Sequence, residues 1–307
     1  MIQLQLNEVH CVAQDPKRHL AFTDLCQFES RYWLSYREAS SHHHQDGQLV
    51  ILLSDDGQNW QFHSRIGVDS GELRDPKFVV TDAGELWLQC ARVDAQGLQS
   101  LIYRWQEPQW LAPEAIGEPN VWLWRTLWQA DFGLSFGYRR PQTLQLYRAS
   151  RNPLDYQLWN AQPLGDWAAR YGYPNETGLA IDQRGVGYCL LRRDADNGHA
   201  LLGHSQPPYR NWFWQELDQA IGGPVLTLTP DDQLLAVVRL YDPARTSVCQ
   251  IDPDNASIRE LLTLPSAGDT SYAGVIWQSP TQLLISYYSS HEGSSAIYVA
   301  EVAVENG

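Results

Sequence analysis

The sequence predicts an all-β protein folded as a six-bladed β-propeller. The chain of 307 residues contains 13 Trp and 15 Tyr but one Met, and 19% of its residues are charged, a composition that favours aromatic sheet layers over amphipathic helices. A unit of about 45 to 55 residues recurs along the chain, which is the length of a four-stranded propeller blade. No Pro- or Ser-rich linker divides the chain, so we expect residues 1–307 to form a single domain.

Each repeated unit opens with a strand that carries polar residues or Gly, followed after a turn by a second, apolar strand. Each second strand places Arg or Tyr roughly 13 to 17 residues after the opening. Six such openings predict six blades. The openings are Thr23-Asp24-Leu25, Arg74-Asp75-Pro76, Trp124-Arg125-Thr126, Asn175-Glu176-Thr177, Gly222-Gly223-Pro224 and Ser271-Tyr272-Ala273.

The two ends of the chain are predicted to meet in one blade. The last unit stops one strand short after SAIYVAEV, whereas the strand IQLQLNEVHCV precedes the first unit and belongs to none. Pairing between these strands would complete the sixth sheet and remove open sheet edges, which otherwise promote aggregation. We therefore expect the N-terminal strand to close the final blade.

The charge of the chain argues against two classes of partner. The formal net charge is −14 at pH 7, whereas nucleic acids and anionic membranes require a basic surface. No apolar run approaches the ~20 residues that span a bilayer. The sequence leaves the oligomeric state open.

The cysteines indicate a reducing compartment. They are scattered singly within apolar runs and form no C-x-x-C pair, a pattern typical of buried free thiols. The N-terminal sequence MIQLQLNEVH lacks the basic start and long apolar run of a signal peptide. We expect a cytoplasmic protein. The cysteines are Cys11, Cys26, Cys90, Cys189 and Cys249.

Residues that are far apart in the sequence converge in a propeller, because the innermost strand of each blade lines the central axis. The openings and the ends of the second strands therefore predict one polar site at a mouth of the channel. A structural ring of ion pairs is the alternative, but Tyr, Glu and Arg together exceed what such a ring needs. The candidates are Asp24, Arg37, Arg74, Asp75, Arg125, Glu176, Arg192, Arg239, Asp269, Tyr272, Tyr288, His42 and His291.

The segment from Gly47 to Trp60, GQLVILLSDDGQNW, predicts a strand, a tight turn and a second strand. Its short polar side chains can bond their own backbone, Gly57 allows a bend that a residue with a Cβ resists, and Trp60 anchors the next strand. The segment resembles the Asp-box, or BNR repeat, of the sialidase superfamily, whose usual form has one more residue between its Asp and its Gly. We interpret it as packing within the blade and not as part of the site.

Further passages along almost the whole chain resemble bacterial sialidase-like proteins, among them ELRDPKFVV, NETGLAI and SAGDTSYAGVIW. In sialidases, which are β-propellers, a Tyr activated by a Glu attacks the anomeric carbon. An Asp acts as acid and base, and three Arg bind the substrate carboxylate. The resemblance implies that Tyr272 is the nucleophile, that Glu176 activates it, and that Arg192 and Arg239 are two of the three arginines.

Two positions depart from the sialidase pattern. The first blade opens with Thr23-Asp24-Leu25 where a sialidase has Arg-Ile-Pro, so the third arginine is missing, and Arg37 from the neighbouring strand could partly compensate. The acid and base Asp is either Asp46, on the loop after the first blade's second strand, or Asp75, which opens the second blade. We favour Asp75 because its position does not depend on a flexible loop.

These residue types suit the chemistry. A phenol has a pKa of about 10, so Tyr272 needs a carboxylate base such as Glu176 and cations nearby. The planar fork of Arg matches the two oxygens of a carboxylate. We predict Tyr272, Glu176 and Asp75 as catalytic residues. The predicted substrate-binding residues are Arg37, His42, Arg74, Arg192, Arg239, Asp24, Asp269 and Tyr288.

Three consecutive histidines, His42 to His44, suggest a metal tract at first sight. Adjacent residues of an extended chain point to opposite sides, so at most two of them could share an ion without a tight turn. We expect His42 to contact substrate instead. No loop has the carboxylate spacing of a calcium site, and neither a metal nor another cofactor is predicted.

The leading functional hypothesis is a glycoside hydrolase that acts on an acidic or otherwise polar sugar. An inverting enzyme would use Asp75 and Glu176 with a water molecule between them. A polysaccharide lyase, with His42 as base and Tyr272 as acid, is the second enzymatic hypothesis. The third is a glycan-binding propeller without turnover. Each of them takes a carbohydrate ligand.

Overall fold

Six antiparallel sheets form the blades of a β-propeller, which confirms the predicted fold. The structure is a computed structural model that describes residues 2–139, 143–166, 172–194 and 198–306. Among these residues, no helix is long and apolar enough to cross a membrane.

The strands of the first five blades follow one another outward from the channel in chain order. The first blade contains β2 (His19–Phe28), β3 (Arg31–Ala39), β4 (Gln48–Ser54) and β5 (Gln61–Ile66). The second contains β6 (Glu72–Val80), β7 (Leu86–Asp94), β8 (Gly97–Gln106), the short β9 (Gln109–Trp110) and β10 (Glu114–Ile116). The third contains β11 (Trp122–Gln129), β12 (Phe132–Arg139), β13 (Thr143–Ser150) and β14 (Tyr156–Asn160).

The other half of the ring repeats this arrangement. The fourth blade contains β15 (Pro174–Ile181), β16 (Gly187–Arg193), β17 (His199–Ser205) and β18 (Phe213–Ala220). The fifth contains β19 (Gly222–Leu228), β20 (Leu234–Leu240), β21 (Arg245–Asp252) and β22 (Ser257–Thr263). The sixth contains β23 (Thr270–Ser279), β24 (Gln282–Ser289), β25 (Ala296–Asn306) and, outermost, β1 (Ile2–Gln14).

Strand β1 closes the sixth blade, as the sequence predicted. It pairs antiparallel with β25 from Ile2 opposite Asn306 to Gln14 opposite Ala296, with two register shifts. Ile2 is buried in the same apolar cluster as Val302 and Val304 of β25. The pairing covers the backbone edge that β25 would otherwise expose.

The core lies between neighbouring blades. The branched and aromatic residues on the faces of one sheet pack against those of the next, as Val237 and Val248 of the fifth blade do against Ile285 and Tyr287 of the sixth. These four side chains are at most 1% exposed. Alternation along the strands thus supplies the apolar side chains that pack between neighbouring blades.

Every inner strand contains a β-bulge at the same level. The register skips two residues of the inner strand at positions 22–23, 75–76, 124–125, 175–176, 223–224 and 272–273. Bulges bend a strand and redirect its side chains. Phe22, Asp75, Gly223 and Tyr272 have φ values of 60°, 50°, 53° and 49°, so four of these six bulges begin in the left-handed region.

The turn after β4 is held by its own side chains, as its sequence suggested. Ser54 Oγ accepts from Gly57 N at 2.9 Å, and Asp56 Oδ1 accepts from Asn59 N at 2.7 Å. Trp60 Nε1 donates to Gly57 O at 3.0 Å. This turn follows the end of β4 and lies outside the candidate site described below. Its likeness to an Asp-box stays a prediction.

The cysteine thiols are free. Four are buried, as expected for free thiols in apolar runs, whereas Cys11 on the outermost strand β1 is exposed.

Candidate active site

A cleft of about 140 Å³ opens where the inner strands begin. Its walls come from the bulges of β2, β6, β11, β15 and β23, from flanking strand residues, and from the loop between β3 and β4. The lining residues are Phe22, His42, His43, Arg74, Asp75, Trp122, Trp124, Tyr138, Glu176 and Tyr272. All three predicted catalytic residues therefore line one cleft.

Tyr272, Glu176 and Arg192 form a closed triangle of hydrogen bonds. The Tyr272 hydroxyl donates to Glu176 Oε1 at 2.7 Å and accepts from Arg192 Nη1 at 2.7 Å. The same Arg192 nitrogen lies 2.9 and 2.8 Å from the two oxygens of Glu176. A phenol is thus joined to a carboxylate that can take its proton and to a cation that can stabilise the phenolate.

The backbone holds Tyr272 in an unusual conformation. Its φ of 49° follows a φ of 84° at Ser271, both in a region that residues with a Cβ rarely occupy. Each such residue costs on the order of 1 kcal/mol or more, and strain of this kind concentrates at functional sites. The backbone N–H of Gly223, at the neighbouring bulge, donates to Glu176 Oε2 at 3.3 Å.

The protonation of Tyr272 is set by burial. Burial raises the pKa of the Tyr272 phenol well above its usual value, and the charge of Glu176 raises it further, whereas Arg192 and Arg239 oppose both effects. The phenol is therefore protonated in the resting site.

Asp75 is a buried carboxyl group with a free oxygen. Its Oδ1 is buried without a hydrogen-bond partner, and the residue is 5% exposed. Burial raises the pKa of Asp75, although the charges of Arg74 and Lys77 act in the opposite direction. A carboxyl group whose pKa is raised beside a cleft suits a general acid.

A second cluster surrounds Asp269, in the loop before β23. Its Oδ1 accepts from Tyr288 Oη at 2.7 Å and from Arg239 Nη2 at 2.9 Å. Its Oδ2 lies 2.8 Å from His42 Nδ1 and 3.1 Å from His19 Nε2. Burial alone would raise the pKa of Asp269, but the hydrogen bonds from both histidines and Tyr288, with the charge of Arg239, hold that pKa well below its usual range.

The two clusters touch through aromatic rings. Phe22 meets Tyr272 edge-on at 5.0 Å, Tyr288 at 5.5 Å and His42 at 5.3 Å between ring centroids. The Arg239 guanidinium lies 5.4 Å from the centroid of the Tyr272 ring. The nucleophile candidate is therefore packed against the Asp269 cluster.

Asp269, His19 and His42 offer three ligand atoms within 4.8 Å of one another. The donor set does not favour a cation, because Arg239 already places a positive charge 2.9 Å from the same carboxylate. The absence of a metal requirement stays a prediction.

Arg37 lies beneath the cleft and not on its wall. Its side chain is fully buried, and its Nε and Nη2 donate to Glu72 Oε2 at 3.1 and 2.5 Å. Nη2 also donates to the backbone oxygen of His44 at 2.8 Å, and Nη1 to that of Ser41 at 3.4 Å. The structure therefore corrects its predicted position: Arg37 holds the loop that carries His42.

Asp24 also differs from its predicted position. Its Oδ2 accepts from Phe78 N at 2.7 Å and its Oδ1 from Arg125 Nη1 at 2.8 Å, and the residue is 1% exposed. Both oxygens are therefore used to tie the first blade to the second and third. The bulge of β2 lies at residues 22–23, just before Asp24, and Phe22 lines the cleft while Asp24 does not.

Of the three remaining candidates, Arg74 lines the cleft, whereas Asp46 and His291 do not. Arg74 donates to the backbone oxygen of His42 at 3.0 Å and lies 5.6 Å from the centroid of the Phe22 ring. Asp46 binds Ser40 and Arg18 at the base of the loop. His291 contacts Ser289.

Sequence reasoning missed the aromatic wall and one histidine. Trp122 stacks on Tyr138 with ring centroids 5.8 Å apart, and Trp124 meets Tyr272 at 5.9 Å. The alternation of Trp122 with Trp124, the first residue of the third opening, was an available signal. His19 begins β2, and no local feature of the sequence marks it.

A larger cavity of about 360 Å³ lies elsewhere, near the other end of β2. Phe28, Trp33, His63 and Trp105 line it. None of the predicted site residues line it, so we assign the candidate chemistry to the smaller cleft.

Comparison with known proteins identifies the fold. No protein family profile matches the sequence, and no curated protein is similar to it. Many solved structures are similar to this chain, and the following three are similar over most of it. A protein of unknown function from Dyadobacter fermentans is 13% identical, with 98% of this chain and 99% of that chain covered and a TM-score of 0.85. The GH93 α-L-arabinofuranosidase of Fusarium graminearum, solved with arabinobiose, is 13% identical, with 98% of each chain covered and a TM-score of 0.70. Trypanosoma rangeli sialidase, solved with sialic acid, is 10% identical, with 93% of this chain and 54% of that chain covered and a TM-score of 0.66.

These similarities confirm the resemblance at the level of the fold. The sialidases and the GH93 arabinofuranosidases are six-bladed propellers like this chain. The chain therefore has the sialidase-like β-propeller fold.

Proposed function

We propose that this protein is a glycoside hydrolase that cleaves a sugar substrate in the cleft around Tyr272. The observation that carries the proposal is the 2.7 Å hydrogen bond from the Tyr272 hydroxyl to Glu176, within the cleft and next to Arg192. A buried phenol with a dedicated base and a neighbouring cation is arranged as an activated nucleophile.

In the first step, Tyr272 Oη attacks the anomeric carbon and Glu176 takes the phenolic proton. The glycosidic bond breaks, and Asp75 gives its proton to the leaving oxygen. Arg192 stabilises the negative charge that develops on the phenol oxygen. The product of this step is a glycosyl-tyrosine ether and a free alcohol.

In the second step, Asp75 accepts a proton from water, whose oxygen attacks the anomeric carbon. The bond to Tyr272 breaks, and Glu176 returns the proton to the phenol oxygen. Two displacements at the same carbon retain its configuration. An inverting enzyme would instead use Asp75 and Glu176 with an intervening water, and the configuration of the first product distinguishes the two.

Similar proteins support a carbohydrate ligand. Fusarium graminearum arabinofuranosidase and Penicillium chrysogenum arabinanase were solved with arabinobiose, and Trypanosoma rangeli sialidase with sialic acid. Trp122, which lines the cleft and is partly exposed, offers an aromatic surface on which a sugar ring can pack.

A non-catalytic glycan-binding propeller is the second candidate. It is favoured by the pairing of Arg74, Arg192 and Arg239 with internal carboxylates. It requires that Tyr272→Phe leaves the affinity for sugar unchanged and that no glycoside is cleaved.

The decisive experiment is a screen of aryl glycosides of arabinofuranose, neutral hexoses, uronic acids and sialic acids. Tyr272→Phe and Glu176→Gln should each lower kcat on the cleaved substrate on the order of 10³-fold or more. Tyr103→Phe is the matched control, because Tyr103 is buried outside the cleft and its hydroxyl has no hydrogen-bond partner. Undiminished activity in both site variants would exclude the proposed chemistry. Release of an unsaturated uronate from a uronic acid polysaccharide, which carries no aryl group, would indicate a lyase.

A further inference from the structure

Asp269 is enclosed by four side-chain donors from three blades. His19 and His42 belong to the first blade, Arg239 to the fifth and Tyr288 to the sixth. Two donors meet each carboxylate oxygen, at 2.7 to 3.1 Å. Donors that converge in pairs on two oxygens form a binding site for a carboxylate.

The carboxylate of Asp269 is held in place from its own loop. Ser290 Oγ accepts from Asp269 N at 3.0 Å and donates to Asp269 O at 3.2 Å. Arg239 also donates to the backbone oxygen of the next residue, Thr270, at 2.8 Å from Nε. The anion is therefore held in a fixed position beside the cleft, which this cluster reaches through His42, and it needs no rearrangement to occupy the donors.

We propose that Asp269 is a built-in anion that fills a carboxylate site beside the cleft, formed by His19, His42, Arg239 and Tyr288, so that the enzyme accepts neutral sugars and rejects sugars that carry a carboxylate. The proposal rests on the proposed function and names its substrate class. It narrows the expectation of an acidic or otherwise polar sugar to a neutral, polar one.

The charge pairing of Arg192 and Arg74 also favours a neutral substrate. Arg192 is paired with Glu176 and Asp194, at 2.8 and 2.9 Å, and Arg74 with Glu72 at 3.4 Å. Among the described residues, each arginine of the two clusters and of the cleft wall thus has an internal carboxylate partner. A substrate carboxylate would meet Asp269 and Glu176 as like charges and would have to displace one of them.

Removal of the Asp269 side chain should convert this cluster into an open anion site. In Asp269→Ala the four donors remain around a space that acetate can fill with both oxygens. Acetate at about 100 mM should then raise the Tm of this variant by about 2 °C or more, in a saturable manner, relative to chloride at equal ionic strength. The wild type should show no such rise.

Asp269→Asn is the matched control. It removes the charge but keeps the volume of the side chain, so acetate cannot enter and the Tm should not respond. An equal response to acetate in all three proteins, or no response in Asp269→Ala, would overturn the proposal.

Sugar binding by the wild type tests the preference for neutral sugars without a variant. If Asp269→Ala fails to fold, this measurement tests the proposal by itself. Saturation-transfer NMR with arabinose, galactose, glucuronic acid and N-acetylneuraminic acid should detect the neutral sugars only. Binding of the acidic sugars at equal or higher affinity would contradict the proposal. If acetate binds as expected but no glycoside is hydrolysed, the proposed function fails while the assignment of Asp269 stands.

Discussion

Gly223 leaves the space that the ring of Tyr272 occupies. A Cβ on Gly223 would lie 2.8 Å from both Cγ and Cδ2 of Tyr272, closer than real Cβ atoms approach other heavy atoms. The two residues occupy equivalent positions in neighbouring bulges. The absence of a side chain at Gly223 in the fifth blade therefore leaves room for Tyr272, the nucleophile candidate, in the sixth.

Gly223→Ala is expected to displace Tyr272 from Glu176 and to abolish most of the hydrolytic activity, because misplacement by about 1 Å can cost 10²-fold. Gly165→Ala is the matched control: Gly165 shares the φ of 53°, and a Cβ there meets nothing within 4 Å. Both variants should lose on the order of 1 kcal/mol of stability through backbone strain, but Gly165→Ala should keep its kcat. Equal activity of the two variants would refute the positioning role of Gly223.

Asp75→Asn should slow hydrolysis by about 10²- to 10⁴-fold for an alkyl glycoside but much less for a dinitrophenyl glycoside, whose leaving group departs without a proton. Because burial raises the pKa of Asp75, kcat/KM on the alkyl substrate should fall as the pH rises through that pKa, above the usual range of a carboxyl group. The variant should lack this limb. Asp46→Asn, the other sequence candidate, should show neither effect; if it does, the acid is Asp46.

Lys77 gives the stability a distinct pH dependence. Burial lowers the pKa of Lys77 to about 8, with a further contribution from Arg125, while its ammonium lies 2.9 Å from the backbone oxygen of Thr23. Between pH 8 and the pKa of about 10.4 of an unfolded Lys, the unfolded chain binds more protons than the folded one. The Lys77 contribution to the free energy of unfolding therefore rises with pH in this window.

Urea denaturation should be used to measure the free energy of unfolding of the wild type and of Lys77→Met. The value for the wild type minus the value for Lys77→Met should increase by about 2 kcal/mol from pH 8 to pH 10. A difference is required because the four buried cysteines, whose pKa values burial raises, act in the opposite direction in both proteins. The exposed Lys17→Met provides the control and should show no such change. A constant difference would mean that Lys77 titrates normally.

Arg37→Met is expected to destabilise the protein by about 3–5 kcal/mol, because it leaves the Glu72 carboxylate buried without its main partner. Arg37→Met combined with Glu72→Gln should recover part of this loss, since no unpaired charge then remains. Urea denaturation of both variants checks the expectation. If the single variant is as stable as the wild type, the pair does not support the loop that carries His42.

Much of the fold followed from local patterns. Alternating strands, turn residues and the unpaired strands at the two ends predicted six blades and the pairing of β1 with β25, and the structure shows both. Tyr272, Glu176 and Asp75 were predicted at the mouth because each opens a blade, and they line one cleft. Their catalytic roles stay predictions.

Positions that depend on a partner from another blade could not be predicted. Arg37 and Asp24 were both predicted as site residues. Arg37 instead binds Glu72. Asp24 instead accepts hydrogen bonds from Phe78 N and from Arg125. Nothing near His19 in the sequence marks it, yet it meets Asp269 from 250 positions away in the chain.

By itself the sequence determined the repeat, its closure and the residues that each blade carries to the mouth, because strand alternation and turn chemistry act over a few neighbouring residues. Only the tertiary structure decided which of those residues face the cleft and how their charges are paired. Each bulge inserts one extra residue into the inner strand. Ion pairs also form between blades far apart in the chain, so the distribution of charge around Tyr272 is a property of the closed ring.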